Sequence, residues 1–299
     1  MSTGAEAAAH AASREAEALA APLPPLLVAA ERVAATVAQG VHGRRRVGQG
    51  DSFWQFRPFA QGDTASRIDW RQSAKSDRTF IRETEWEAAQ TVYLWRDASA
   101  GMGWRSALAP EPKRARAETL LLALAALLLR GGERVRLLDG GTHPATGRAA
   151  LLHIAAALAM ANPADAPDLP PPVVLPRHAR VVLVGDFLAP LSDIRAAIGR
   201  LAAIPVGGHL LQVLDPAETS LPYEGRVRFR GVATAEETLI PRVDQVRGTY
   251  AERLAAQIGG IRALCAAAGW SAGLHRTDQP ASAALLGLYT ALAPPMRAR

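Results

Sequence analysis

The chain has 299 residues, 49% of them hydrophobic and 21% charged, with a formal net charge of +6 and a single cysteine. That balance excludes a disordered chain and a disulfide scaffold, and the length accommodates one large α/β unit with an appendage. Lysine occurs only at 75 and 113, so the positive charge is almost all arginine; beside abundant alanine this reads as GC-rich coding bias, discounted here as a nucleic-acid signal.

Residues 1–42 are rich in Ala, Glu and Leu and predict a helical, partly flexible segment broken near Pro22, Pro24 and Pro25. No cationic start precedes an apolar block there, and the longest apolar runs, Leu120 to Leu129 and Ala155 to Ala161, fall well short of the roughly 18 residues of a membrane span. A soluble, cytoplasmic protein is expected. Residues 43–90 change character: Arg44, Arg45 and Arg46 lead into aromatics interleaved with charges, and into strand-like pieces such as "TFIRETEW".

From Val92 onward short apolar runs alternate with long helical ones, the rhythm of a mainly parallel, doubly wound sheet with helices on both faces. The pattern predicts strands at 91–96, 134–138, 180–185, 208–214 and 271–275, and helices near 113–130, 147–161, 191–203, 243–268 and 281–292. Pro163 to Pro176 reads as a loop, and "RVRFRGV" as an exposed edge strand. Residues 91–299 thus form an α/β domain, preceded by a charged and aromatic extension at 43–90 that is expected to pack on it. Cys265, in an alanine-rich helix, reads as a buried small hydrophobe.

Ligands of open α/β sheets bind outside the carboxyl ends of the strands. The first predicted strand delivers Asp97, Ser99 and Gly101, the second leads to Thr142 and Thr146, and "VVLVGDF" delivers Asp186. Thr146 is better explained as the cap of the following helix. Asp97, Ser99, Thr142 and Asp186 are an oxygen-only set suited to a hard cation such as Mg²⁺.

This arrangement resembles the von Willebrand factor A domain and its metal-ion-dependent adhesion site, with its Asp-x-Ser-x-Ser, a later Thr and a further strand-end Asp. The resemblance implies metal ligands at Asp97, Ser99, Thr142 and Asp186, with Gly101 standing where the family has its second Ser and offering no oxygen. Arg96 adjoins Asp97, and a guanidinium reaching that carboxylate would replace the metal.

Upstream, residues 53–102, "FWQFRPFAQGDTASRIDWRQSAKSDRTFIRETEWEAAQTVYLWRDASAGM", resemble the signature block of prokaryotic proteins grouped as domain of unknown function 58. Phe59 and Lys75 depart mildly from it. Many relatives carry membrane segments ahead of the block, and none is seen here. The resemblance implies a von Willebrand A-like domain and an adaptor or co-chaperone role beside a MoxR-type AAA+ ATPase, with the client unspecified. Read from its residues, the block alternates charge among Trp54, Trp70 and Trp86, which suits ion pairs pinning an irregular segment. The second reading of the same residues is a partner-docking surface built on Arg57, Asp63, Arg67, Asp69, Trp70 and Arg82.

Three alternatives are weaker. A metal-dependent nuclease could draw on Asp69, Lys75, Glu83 and Glu85, but the interleaved arginines would neutralise those carboxylates. A serine hydrolase on Ser99 lacks the Gly-x-Ser-x-Gly elbow and an ordered Asp and His, with His178 and His275 only flanking strands. Nucleic-acid binding rests on charge alone. The chain has no GxxxxGK[ST] motif, so any ATP-derived energy must come from a partner. The expected function is non-enzymatic protein binding through a cation at the strand-end site.

Overall fold

The computed structural model describes residues 32–37, 53–59, 68–75, 78–84, 90–138, 145–160, 166–232 and 236–292, with backbone alone at 53–57 and 81–84. Contacts divide the chain into two compact units, one within His42–Ala89 and the other carrying Gln90 onward.

In the smaller unit, strand β1 (Phe53–Pro58) pairs antiparallel with β2 (Phe80–Thr84), and the short helix α1 (Trp70–Ser73) lies between them in sequence. Asp69 caps α1: its carboxylate accepts the backbone N–H of Gln72 at 2.9 Å, satisfying one of the donors a helix start leaves free.

The larger unit is built on β3 (Thr91–Arg96), β4 (Arg134–Leu137), β5 (Arg180–Gly185), β6 (Gly207–Leu214) and β9 (Ser271–Arg276), all parallel in the order β4-β3-β5-β6-β9. The connecting helices are α2 (Lys113–Arg130), α3 (Gly147–Met160), α4 (Leu191–Leu201), the short α5 (Pro216–Ser220), α6 (Val243–Ala267) and, last, α7 (Ala281–Ala291). A small antiparallel pair, β7 (Val227–Arg230) with β8 (Glu237–Ile240), is inserted before α6. "RVRFRGV" is therefore a hairpin arm apart from the main sheet. Its alternating exposure reflects a ribbon with one half-buried face.

Two core clusters cover the two faces of the main sheet. Val92 and Leu94 of β3 and Val182 and Val184 of β5 pack with α2, α3 and α7. Trp95, Val181, Leu183 and Leu210 pack with α4 and α6. Both faces are covered, so strands read as nearly continuous apolar runs, as in the Val181–Val184 stretch. Helix α2 buries every residue from Thr119 to Leu128, the signature of a helix enclosed on all sides. The helical residues 32–37 add Ala34 and Val37 to this cluster. Cys265 is buried, and burial pushes its thiol up to about 11.

No helix of the described residues is long and apolar enough to cross a membrane.

Candidate functional site

Strand order reverses at β3, whose neighbours β4 and β5 lie on opposite sides. That is where an open sheet leaves a crevice beyond its carboxyl ends. The ladder continues one residue past β3, because the Asp97 N–H donates to the Val184 carbonyl at 2.8 Å. Asp97 is thereby pressed against Gly185. A Cβ on that glycine would lie 2.8 Å from the Cβ of Asp97, closer than side-chain carbons approach, so only glycine fits.

Asp97 is fully buried. Its Oδ1 accepts the Ser99 backbone N–H at 2.8 Å, which tightens the turn into a short 3₁₀ segment, Ala100–Gly103. Its Oδ2 is buried with no hydrogen-bond partner. Burial pushes the Asp97 carboxyl up to about 6, with nearby Asp186 acting in the same direction and hydrogen bonding from Ser99 opposing both.

Asp186 follows β5 directly, and the next residue, Phe187, holds a left-handed φ of 48° while its ring packs 6.1 Å from that of Trp95. A Cβ placed on Gly101 would sit 3.3 Å from Asp186 Oδ2 and 3.7 Å from Ser99 Oγ. Ser99, Gly101 and Asp186 thus converge beside Asp97, as expected from sequence. Thr142 lies outside the described residues.

One side chain was not expected there. Lys113, the first residue of α2 and only 1% exposed, donates from Nζ to Asp186 Oδ2 at 2.8 Å and to Glu218 Oε1 at 2.6 Å. Glu218 is itself fixed, since its Oε2 accepts the Asp215 N–H at 2.8 Å in a capping box and its carbonyl accepts the Tyr250 hydroxyl at 2.5 Å. Asp215, at the end of β6, accepts from Ser106 N at 2.9 Å, Ser106 Oγ at 2.5 Å and Ala217 N at 2.8 Å. Desolvation opposes the Lys113 charge, yet Asp186 and Glu218 together raise its pKa above the ordinary value.

Arg96 points elsewhere. Its Nη2 donates to the Leu158 carbonyl at 2.9 Å and lies 3.4 Å from Glu118. The cation beside the strand-end carboxylates is Lys113, because successive side chains on β3 take opposite faces and carry Arg96 towards α2 and α3. The sequence held one sign of this: a lysine in an arginine-dominated chain. Glu218 and Asp215 gave no sign, being ordinary residues of a helix start.

In the smaller unit, Arg57 lies on β1 and Arg82 on β2, in neighbouring register pairs. Asp69 is engaged as the cap of α1, and Trp70 is 69% exposed. Asp63 and Arg67 lie outside the described residues.

The oxygens at the crevice fit a small hard cation. The orphaned Asp97 Oδ2, the Asp186 carboxylate and the Ser99 hydroxyl are the right donors, and burial favours neutralising Asp97. Among the described residues no group of three or more His, Cys, Asp and Glu is placed to hold a metal, so a cation here would lean on hydroxyl and water oxygens.

No curated protein and no solved structure matches the chain. The family described as "Protein of unknown function DUF58" matches residues 55–258, which runs from the smaller unit through the strand-end site into α6. The chain belongs to that family.

Proposed function

We propose that this protein is a non-enzymatic, cytoplasmic adaptor or co-chaperone, with a von Willebrand A-like domain whose strand-end site is a reduced metal-ion-dependent adhesion site. The observation that carries this reading is the buried Asp97 Oδ2, without a hydrogen-bond partner, beside Asp186 and Ser99 at the sheet's reversal point. A buried polar atom left unpaired costs roughly 1–3 kcal/mol, and a cation removes that cost. Asp97 and Asp186 would hold Mg²⁺ directly or through water, with Ser99 and Thr142 as neutral ligands. The bound ion would offer an open position to the carboxylate of a partner protein. Gly101 contributes no oxygen, so the site is weaker than the full motif.

Two groups weigh against the catalytic alternatives. His275 faces Arg116, whose Nη1 lies 2.9 Å from its Nε2, and burial together with that guanidinium lowers its pKa to about 4. That is a poor base for Ser99. Asp69 is committed to capping a helix, which weakens a nuclease centred on it.

The proposed partner is a MoxR-type AAA+ ATPase, following from the family resemblance and the absence of a P-loop motif in this chain. The extension supplies further contacts through Trp70 with Arg57, Asp63, Arg67, Asp69 and Arg82.

Calorimetric titration with Mg²⁺ or Mn²⁺ tests the site. Binding heat in the wild type and none in Asp97→Ala is expected; equal, negligible heats would remove the metal from the proposal. Retention of the ATPase from native lysate should require Mg²⁺ and be lost with EDTA and with Asp97→Ala.

A further inference from the structure

We propose that Lys113 is a tethered competitor for the cation of the strand-end site, bonding the same oxygen of Asp186 that a bound metal would need. The inference rests on the adhesion-site reading above. Its ground is geometric. Asp186 Oδ2 accepts the Lys113 ammonium at 2.8 Å, and it is also the oxygen nearest the position a Cβ on Gly101 would take, 3.3 Å away, on the side where Ser99 lies. A divalent cation there meets both an oxygen already engaged and a positive charge beside it.

The lysine has a second anchor. Glu218 Oε1 accepts it at 2.6 Å, and the capping box and the Tyr250 hydroxyl keep Glu218 in place whether or not Asp186 is held. Lys113 can therefore release Asp186 without leaving a bare buried charge, the state that would otherwise forbid the exchange. A flexible stem ending in a compact ammonium suits this, whereas a planar guanidinium would be locked by its fork. The consequence is a site whose cation affinity is held down from within, so that occupancy demands a high free-ion concentration or a partner carboxylate that adds a ligand.

Mn²⁺ binding to the full chain, followed by calorimetry and by electron paramagnetic resonance of the free ion, tests this. Lys113→Met alone also changes local charge. The decisive variant is Lys113→Met with Glu218→Gln, which removes one positive and one negative charge together. If Lys113 competes for Asp186, the double variant binds Mn²⁺ at least tenfold more tightly than the wild type. If Lys113 does not compete for Asp186, the two affinities agree, and the inference fails while the adhesion-site reading stands. No Mn²⁺ binding to wild type or double variant overturns that reading and the inference with it. Should the methionine version not fold, Lys113→Leu with Glu218→Gln, which likewise leaves no donor at 113, carries the same tenfold expectation.

Discussion

Two aspartates follow strands of the main sheet that β5 separates, both withdrawn from solvent, and their surroundings are opposite. Asp215, after β6, has both carboxylate oxygens bonded, to Ser106 and Ala217, and so ties the loop before α2 to the end of the sheet. Asp97, after β3, has one oxygen bonded and the other buried and unpartnered. Equal burial therefore serves two ends. Where every lone pair is matched, a buried carboxylate holds the fold together; where one is left over, the fold bears a cost that a ligand can relieve.

The largest expected effect falls on the satisfied member. Asp215→Ala leaves three donors without an acceptor, and it should lower stability by roughly 3 kcal/mol in urea unfolding. An effect below 1 kcal/mol would mean that the contrast between the two sites is not energetic. Asp97→Asn should act in reverse, raising stability at neutral pH by about 1–2 kcal/mol in metal-free buffer. The sign follows from a folded-state pKa near 6 against 3.8 for the ordinary group. The folded protein keeps this proton after the unfolded chain has released it, so the Asp97 contribution favours folding at low pH and is lost as pH rises through 6. The advantage of asparagine is accordingly present above pH 6 and gone below 3.8, which urea curves at both extremes would show.

His209 sharpens the pH comparison from the other side. It is buried in β6, and burial lowers its pKa to about 4 from 6.5. Its neutral form is compatible with folding, so stability is full above pH 6.5 and is lost as pH falls towards 4. His209→Gln should flatten that acid slope by at most one proton, about 1.4 kcal/mol per pH unit. A slope unchanged by the substitution would assign acid sensitivity to other groups, His275 first among them. The smallest effect is expected from Gly101→Ser. A Cβ there meets Asp186 Oδ2 at 3.3 Å, which a small adjustment absorbs, and the added hydroxyl should tighten Mn²⁺ binding about threefold. Looser binding would show that Gly101 gives the site needed space, not merely one oxygen fewer.

Much of the larger unit was legible from residue order. The strands at Thr91–Arg96, Arg180–Gly185 and Gly207–Leu214 are short apolar runs bounded by polar turns, and local pattern suffices to find such runs. Asp97, Ser99 and Asp186 were legible too, because strand ends in a parallel sheet share one rim. The β7–β8 hairpin was read only in part: alternation marks an exposed strand but does not say which sheet receives it. Lys113 was visible as a rarity of composition and invisible as a site residue. It stands 73 residues from Asp186 and 105 from Glu218 along the chain, and no local pattern reports a contact across such spans.

The sequence by itself determined the alternation of strands and helices, the doubly wound sheet and the family, since these follow from hydrophobic period and from a motif compact enough to read in one stretch. Only the tertiary structure decided the charge state of the rim. It turned Arg96 away, brought Lys113 and Glu218 in, and left one oxygen of Asp97 unmatched. The reason is physical: hydrogen bonds and ion pairs depend on ångström-scale placement of groups far apart in the chain, and that placement is set by how the helices pack on the sheet.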